Sequence, residues 1–218
     1  MRTIACLALL VALPAWAQPK PEVFDKFSQW TKSRIAAKNG TAYIARSRSD
    51  LPVGTTETAQ LTASTTAITD DAGSDYQGTF VAIVGADGEA RSAKSGFKTG
   101  ERFKLRAVST FGAHVVVENI NAKGERRQIY PPEGTQVVVV QAGADTLLPL
   151  GAKEFFEFAK TTGEEQLVIS LRDPRAVGDA ASRQKVFRKD EEFGTHLVQE
   201  VAKGTFPTIS EAIRLEHQ

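Results

Sequence analysis

Three histidines, two adjacent glutamates and a few aromatic side chains are the groups in this chain best equipped for chemistry. The histidines are His114, His196 and His217. An imidazole changes charge near neutral pH, so it can move protons or bind a metal. Metal ligands carried on one element lie a few residues apart, as in His-Glu-x-x-His, and these three are scattered. No metal site is expected. His114 lies in the apolar run His114-Val-Val-Val117, where a structural histidine is expected, and His217, next to last, is expected to be solvated. Gly163-Glu164-Glu165 offers carboxylates for acid–base work. Such work needs two carboxyls held in different environments across a cleft, and acids in a turn are expected to stay exposed. There is no Gly-x-Ser-x-Gly elbow and no glycine-rich phosphate loop opening a helix. The run Asp70-Asp-Ala-Gly-Ser-Asp75 lacks the glycine and terminal glutamate of a calcium loop and reads as a polar turn. No catalytic, cofactor-binding or metal-binding residue is assigned, and no cofactor is expected. Tyr76, Tyr130 and Phe155 remain as candidates for contact with a ligand or partner.

Composition narrows the compartment and the partners. The chain has 218 residues, 41% of them hydrophobic, enough for one domain with appendages. Arg2, the apolar run Ile4–Pro14 and Ala15-Trp16-Ala17 form the pattern of a cleavable signal peptide. The run is too short to span a bilayer, which takes about 20 apolar residues. Cleavage is expected near Ala17-Gln18, placing the mature protein in the periplasm or outside the cell, with no transmembrane segment. Cys6 stands near the start of the apolar run, where a lipidated cysteine does not belong. Cleavage removes Arg2 and this only cysteine, which leaves equal numbers of basic and acidic side chains. A neutral chain has no electrostatic drive toward nucleic acid. Without cysteine it has no disulfide and no thiolate nucleophile.

The elements that must position these groups are mostly strands. After the signal peptide (1–17), residues 18–40 read as an amphipathic helix, with Val23, Phe24, Phe27, Trp30 and Ile35 on one face and Asn39-Gly40 as its stop. Residues 41–75 are rich in Thr, Ala and Ser; short strands are expected at Thr41–Ile44 and Thr58–Ala63. Residues 76–174 read as an antiparallel β-sandwich or distorted barrel. Its expected strands include Gly78–Val84, the run from Gly100 through Val108, His114–Ile120, Glu125–Tyr130, Gln136–Gln141 and Gly163–Leu171. Asp87-Gly88 predicts a two-residue hairpin turn. Phe156 and Phe158 share a face directed to the core, and Phe155 points the opposite way. In the extension 175–218, a strand is expected at Gln184–Lys189. A short C-terminal helix is expected through Leu215, capped by Thr208 or Ser210.

Phe97-x-x-Gly-Glu-x-Phe-x-Leu, Val115-Val-Val-x-Asn-Ile-x-x-x-Gly-Glu and Ile129-Tyr-Pro131 follow one another in this order. Leu148-Pro149, Phe156-x-Phe158, Gly163-Glu-Glu165 and Leu167–Pro174 come after them. Over about Tyr76–Pro174 this resembles the bacterial domain of unknown function 4384. The chain is a divergent member by this reading: Ala113-His-Val-Val-Val117 stands where the family usually carries tyrosines. The resemblance implies an exported or surface-associated accessory domain, sometimes fused to enzymes, and supplies no catalytic residue.

The expected function is a non-enzymatic periplasmic accessory module that binds another cell-envelope protein through its edge strands. Two alternatives stand beside it. One is a binder of a glycan or cell-wall fragment on a face carrying Tyr76, Tyr130 and Phe155. The other is a hydrolase whose site the sequence does not display.

Overall fold

The computed structural model describes residues 21–37, 42–45, 68–70, 73–134, 137–159, 162–176, 186–202 and 205–218. The signal segment and the expected strand at 58–63 lie outside them.

The continuous apolar run in β3 (Asp75–Gly85) marks a strand buried on both faces, and all but its first residue are buried. Its odd residues Val81 and Ile83 face one core and its even residues Phe80 and Ala82 face another. One side of β3 pairs with β5 (Arg102–Ser109), and the other pairs with β13 (Gly194–Glu200) and the short β4 (Ala90–Arg91). The sheet is completed by β12 (Val186–Glu191) at one edge, by β9 (Thr146–Leu148) and β10 (Phe156–Glu157) along β5, and by β2 (Ile68–Thr69). The hairpin joining β3 to β4 closes at Gly85 and Glu89, so its loop has three residues rather than the expected two. Gly88 takes the left-handed position there at φ 86°.

A second sheet lies across the first. Its order is β1 (Ala42–Ala45), β8 (Val137–Val140), β6 (Ala113–Ile120), β11 (Gly163–Arg172) and β14 (Thr208–His217), with β7 (Arg126–Tyr130) also on β6. Among the described residues all strand pairs are antiparallel, and an isolated parallel bridge joins Phe97 to His217. The main core fills the space between the sheets with Val115, Val117, Leu167, Ile169, Leu171, Leu105, Leu148 and Leu197. Phe156 and Phe158 belong to it, as their shared face predicts. The expected sandwich is present.

The expected N-terminal helix is α1 (Pro21–Ala37), with Pro21 at its first turn, where the missing N–H costs nothing. Val23, Phe24 and Phe27 pack with Ile68, Tyr76 and Val198 on the outer face of the β3 sheet. The helix comes so close that a Cβ on Gly78 would stand 2.9 Å from the Phe27 ring. No helix among the described residues is long and apolar enough to cross a membrane.

The expected C-terminal helix does not form. Thr208–His217 is β14, paired in unbroken register with all ten residues of β11. Ile209, Ile213, Leu215 and His217 are buried and Ser210, Arg214 and Glu216 are exposed, a period of two. Strand β13, which has no counterpart among the sequence expectations, supplies Leu197 to the main core and Val198 to the layer under α1.

Candidate functional site

The three aromatic candidates are not brought together. Tyr76 is buried under α1, and burial, then the charges of Glu200 and Asp70, push its phenol above the usual range. Tyr130 faces the main core, and its hydroxyl accepts the Leu150 N–H at 3.2 Å. Burial raises its phenol too. Phe155 remains partly exposed, but two cations already stand over its ring, Arg102 at 5.2 Å and Lys104 at 5.1 Å. Lys104 is itself tied to the Pro149 and Gly151 carbonyls, and burial lowers its ammonium. A shared solvent-facing platform of these three is absent.

Two arrangements arise instead from residues far apart in sequence. The first is a chain of side chains from three elements and a loop. The exposed Thr99 places Oγ1 3.0 Å from His217 Nε2 on β14. His217 Nδ1 lies 3.0 Å from Glu165 Oε1 on β11, and Asn119 of β6 donates to Glu165 Oε2 at 2.7 Å. Hydroxyl, imidazole and carboxylate in this order match a nucleophile, its base and an orienting acid. The His217 side chain, however, has no exposed surface and packs 5.1 Å from the Phe158 ring. With both nitrogens engaged and the side chain fully buried, the imidazole fastens the end of β14 to β11 and to the loop before β5. Two backbone bonds reinforce it: Phe97 N–H to Glu216 C=O and Gln218 N–H to Phe97 C=O, both 2.7 Å.

Glu165→Ala is therefore expected to strand two donors, the Asn119 amide and His217 Nδ1. The expected loss is about 2 kcal/mol, read from urea unfolding. Glu165→Gln keeps an acceptor oxygen and should recover most of it. Equal stability of all three proteins would contradict the assigned role.

The second arrangement is a cleft of about 760 Å³ on the flank where the two sheets end. Val81, Ile83 and Ile213 form its floor, and Arg91, Lys94, Arg188 and Arg214 stand on its rim with Asp190, Glu191 and Glu192. Arg188 spans the sheets, donating to Asp190 at 2.8 Å on its own strand and to the Ala212 carbonyl of β14 at 2.9 Å. Burial acts to raise the Asp190 carboxyl, but hydrogen bonds from Arg188 and Thr195 outweigh it and hold it low. A second cavity of about 480 Å³ shares Ala93, Lys94 and Arg214 and continues along Leu215, Glu216 and His217. Among the described residues no cluster of three or more His, Cys, Asp or Glu side chains is placed to hold a metal.

Residues 96–171 match the family model of a domain of unknown function (DUF4384). No curated protein and no solved structure matches the chain. The match covers about a third of the chain and lies inside the stretch that the motif order pointed to. The DUF4384 segment contains β5 to β11 and so contributes the middle of both sheets. It lacks β3, which covers one side of β5, and β14, which covers one side of β11. In the side-chain chain, Thr99, Asn119 and Glu165 fall within DUF4384 and His217 outside it. The cleft is lined wholly by residues outside it. The flanking segments thus close the domain and build the cleft, and no sequence motif could have found that cleft.

Proposed function

We propose that the protein is an exported, non-enzymatic accessory module that docks another cell-envelope protein along the flank where β12 and β14 end their sheets. One observation carries this reading: the terminal strands β12 and β14 of the two sheets meet on one side through Arg188, and the turn that follows β12 carries Phe193. With 46% of its surface exposed, Phe193 is the large apolar side chain left open to solvent among the described residues. Edge strands and isolated exposed aromatics are contact sites for other chains. Export rests on the signal pattern of residues 1–17.

The test is a crosslinked pull-down of the tagged mature protein from its native envelope fraction. The expected result is one stoichiometric envelope protein crosslinked within 186–193 or 208–216. Recovery of the protein alone, or with crosslinks confined to the outer face of the β6–β11 sheet, would overturn the assignment. The cleft volume favours a second reading, a small bound ligand, which native mass spectrometry of the same material would reveal as an added mass.

A further inference from the structure

We infer that the cleft receives one extended peptide segment of the partner, added as a strand to the edge of β14 along Ser210–Arg214 in place of the Arg188 contact to the Ala212 carbonyl, with an acidic side chain directed at Lys94 and Arg214. The inference rests on the docking reading above and names its contact.

The outer edge of β14 is defined by its own hydrogen bonds. Glu216 C=O and Gln218 N–H reach away from β11 to Phe97, Ala212 C=O reaches away to Arg188, and Thr208 N–H reaches away to Gln199. Backbone groups of a strand alternate sides, so the even-numbered residues point outward throughout. The chain already uses this edge for strand pairing at its last residues, through the Phe97–His217 bridge. Upstream, no strand of the described residues continues that pairing along Ser210, Ala212 and Arg214. The segment preceding Phe97 turns away at Ser92–Ser95, and the cleft opens there.

The cleft suits a strand in its other features. A strand lying beside β14 sends alternate side chains toward the floor of Val81, Ile83 and Ile213, so small apolar residues fit every second position. Among the rim cations, Arg91 is paired with Glu101 and Arg188 with Asp190. Arg214 has only Glu164 at 3.8 Å, with both side chains more than 60% exposed, and Lys94 stands beside it where the two cavities join. Lys94 acts weakly on Asp190, and Asp190 is itself held by Arg188 and Thr195, so Lys94 and Arg214 are the rim cations left to meet a carboxylate of the incoming segment.

The probe is a fluorescein-labelled peptide of alternating valine and glutamate, titrated against the full mature protein by anisotropy at low salt. It is expected to bind saturably. Ala212→Pro removes one outward N–H and leaves the β11 ladder intact, because that ladder uses the odd residues; it should weaken binding about fivefold. Arg214→Glu should weaken it about threefold, and replacing glutamate with lysine in the peptide should act in the same direction. Circular dichroism melts verify that both variants stay folded; a variant that does not is replaced by the wild-type protein with a peptide N-methylated on alternate residues, which should also weaken binding. No saturable binding, or binding unaffected by these changes, would overturn the inference. Peptide binding with no envelope partner recovered would sink the docking reading and leave the groove. A recovered partner whose crosslinks avoid 208–216, with no peptide binding, would sink the groove alone.

Discussion

Removing Thr208–Gln218 is expected to abolish cooperative unfolding of the protein. Ile209, Ile213 and Leu215 leave the main core, each fully or almost fully buried. At about 1.5–3 kcal/mol for each such side chain, the loss is on the order of 5–9 kcal/mol. That equals most of the stability of an ordinary domain. The deletion also strips β11 of its partner on one side and opens Leu167, Ile169 and Leu171 to water. Thermal melts followed by near-ultraviolet circular dichroism and Trp30 fluorescence would measure it. A surface helix over the same residues would contribute little, so a truncated protein that melts cooperatively within a few degrees of the intact one would contradict the placement of β14.

The misreading of this segment has a physical origin. Ile209, Ala212 and Ile213 satisfy a helical period, Thr208 and Ser210 are good caps, and Ser-Glu-Ala-Ile-Arg-Leu-Glu has ordinary helix propensity. Ile209, Ile213, Leu215 and His217 satisfy a period of two equally well. Local sequence leaves the two periods in balance. Ten paired residues on β11, 163–172, decide between them, and that pairing is a long-range fact. Where periodicity was unambiguous the sequence was legible: the run in β3, the Phe156–Phe158 face and the apolar face of α1 appear as expected, whereas β5, whose alternation of apolar and charged residues suits a half-buried strand, is buried on both faces with Lys104 and Ser109 inside.

The site was less legible, for related reasons. Tyr130 reads as a strand-end residue free to face solvent, but a bulge in β7 changes its phase. Val117 opposes Tyr130 while Glu118 opposes Gln128, so Ile129 is the extra residue. Gln128 then stays with Glu118 and Tyr130 turns inward with Val117. Tyr76 shows an amphipathic side chain to any local reading, and only the docking of α1 buries it. The bond between His217 and Glu165 spans 52 positions and that between Thr99 and His217 spans 118. Neither residue type nor spacing carries such a contact.

Acid is expected to weaken the intact protein through His196, and His196→Leu to remove that sensitivity. His196 sits on β13 beneath α1, 1% exposed, with its ring 5.3 Å from Phe27 and 4.8 Å from Phe80. Neither ring nitrogen has a hydrogen-bond partner, although Nδ1 lies 3.4 Å from Glu191 Oε1. Burial lowers the imidazole from its usual 6.5 to about 4. Glu191 of β12 opposes that shift, while Lys189 of the same strand and Lys32 of α1 add to it. The folded protein therefore holds a neutral ring where the unfolded chain takes up a proton. The contribution is fully present above pH 6.5 and falls as the pH drops from 6.5 toward 4, by about 3 kcal/mol in all. Carboxylates titrate over the same range, so the informative quantity is a difference. Urea unfolding of wild type and His196→Leu at pH 7.5 and pH 4 should show the wild type losing about 3 kcal/mol more than the variant. The leucine is close to histidine in volume, which keeps the packing against Phe27 and Phe80. Hydrogen exchange should locate the early loss in α1, because the charged ring would lie against its Phe27, while the Ser28–Glu191 and Asp25–Lys189 contacts of α1 with β12 are long, at 3.3 and 3.2 Å. Parallel pH profiles for the two proteins would show that His196 is not the group that acid acts on.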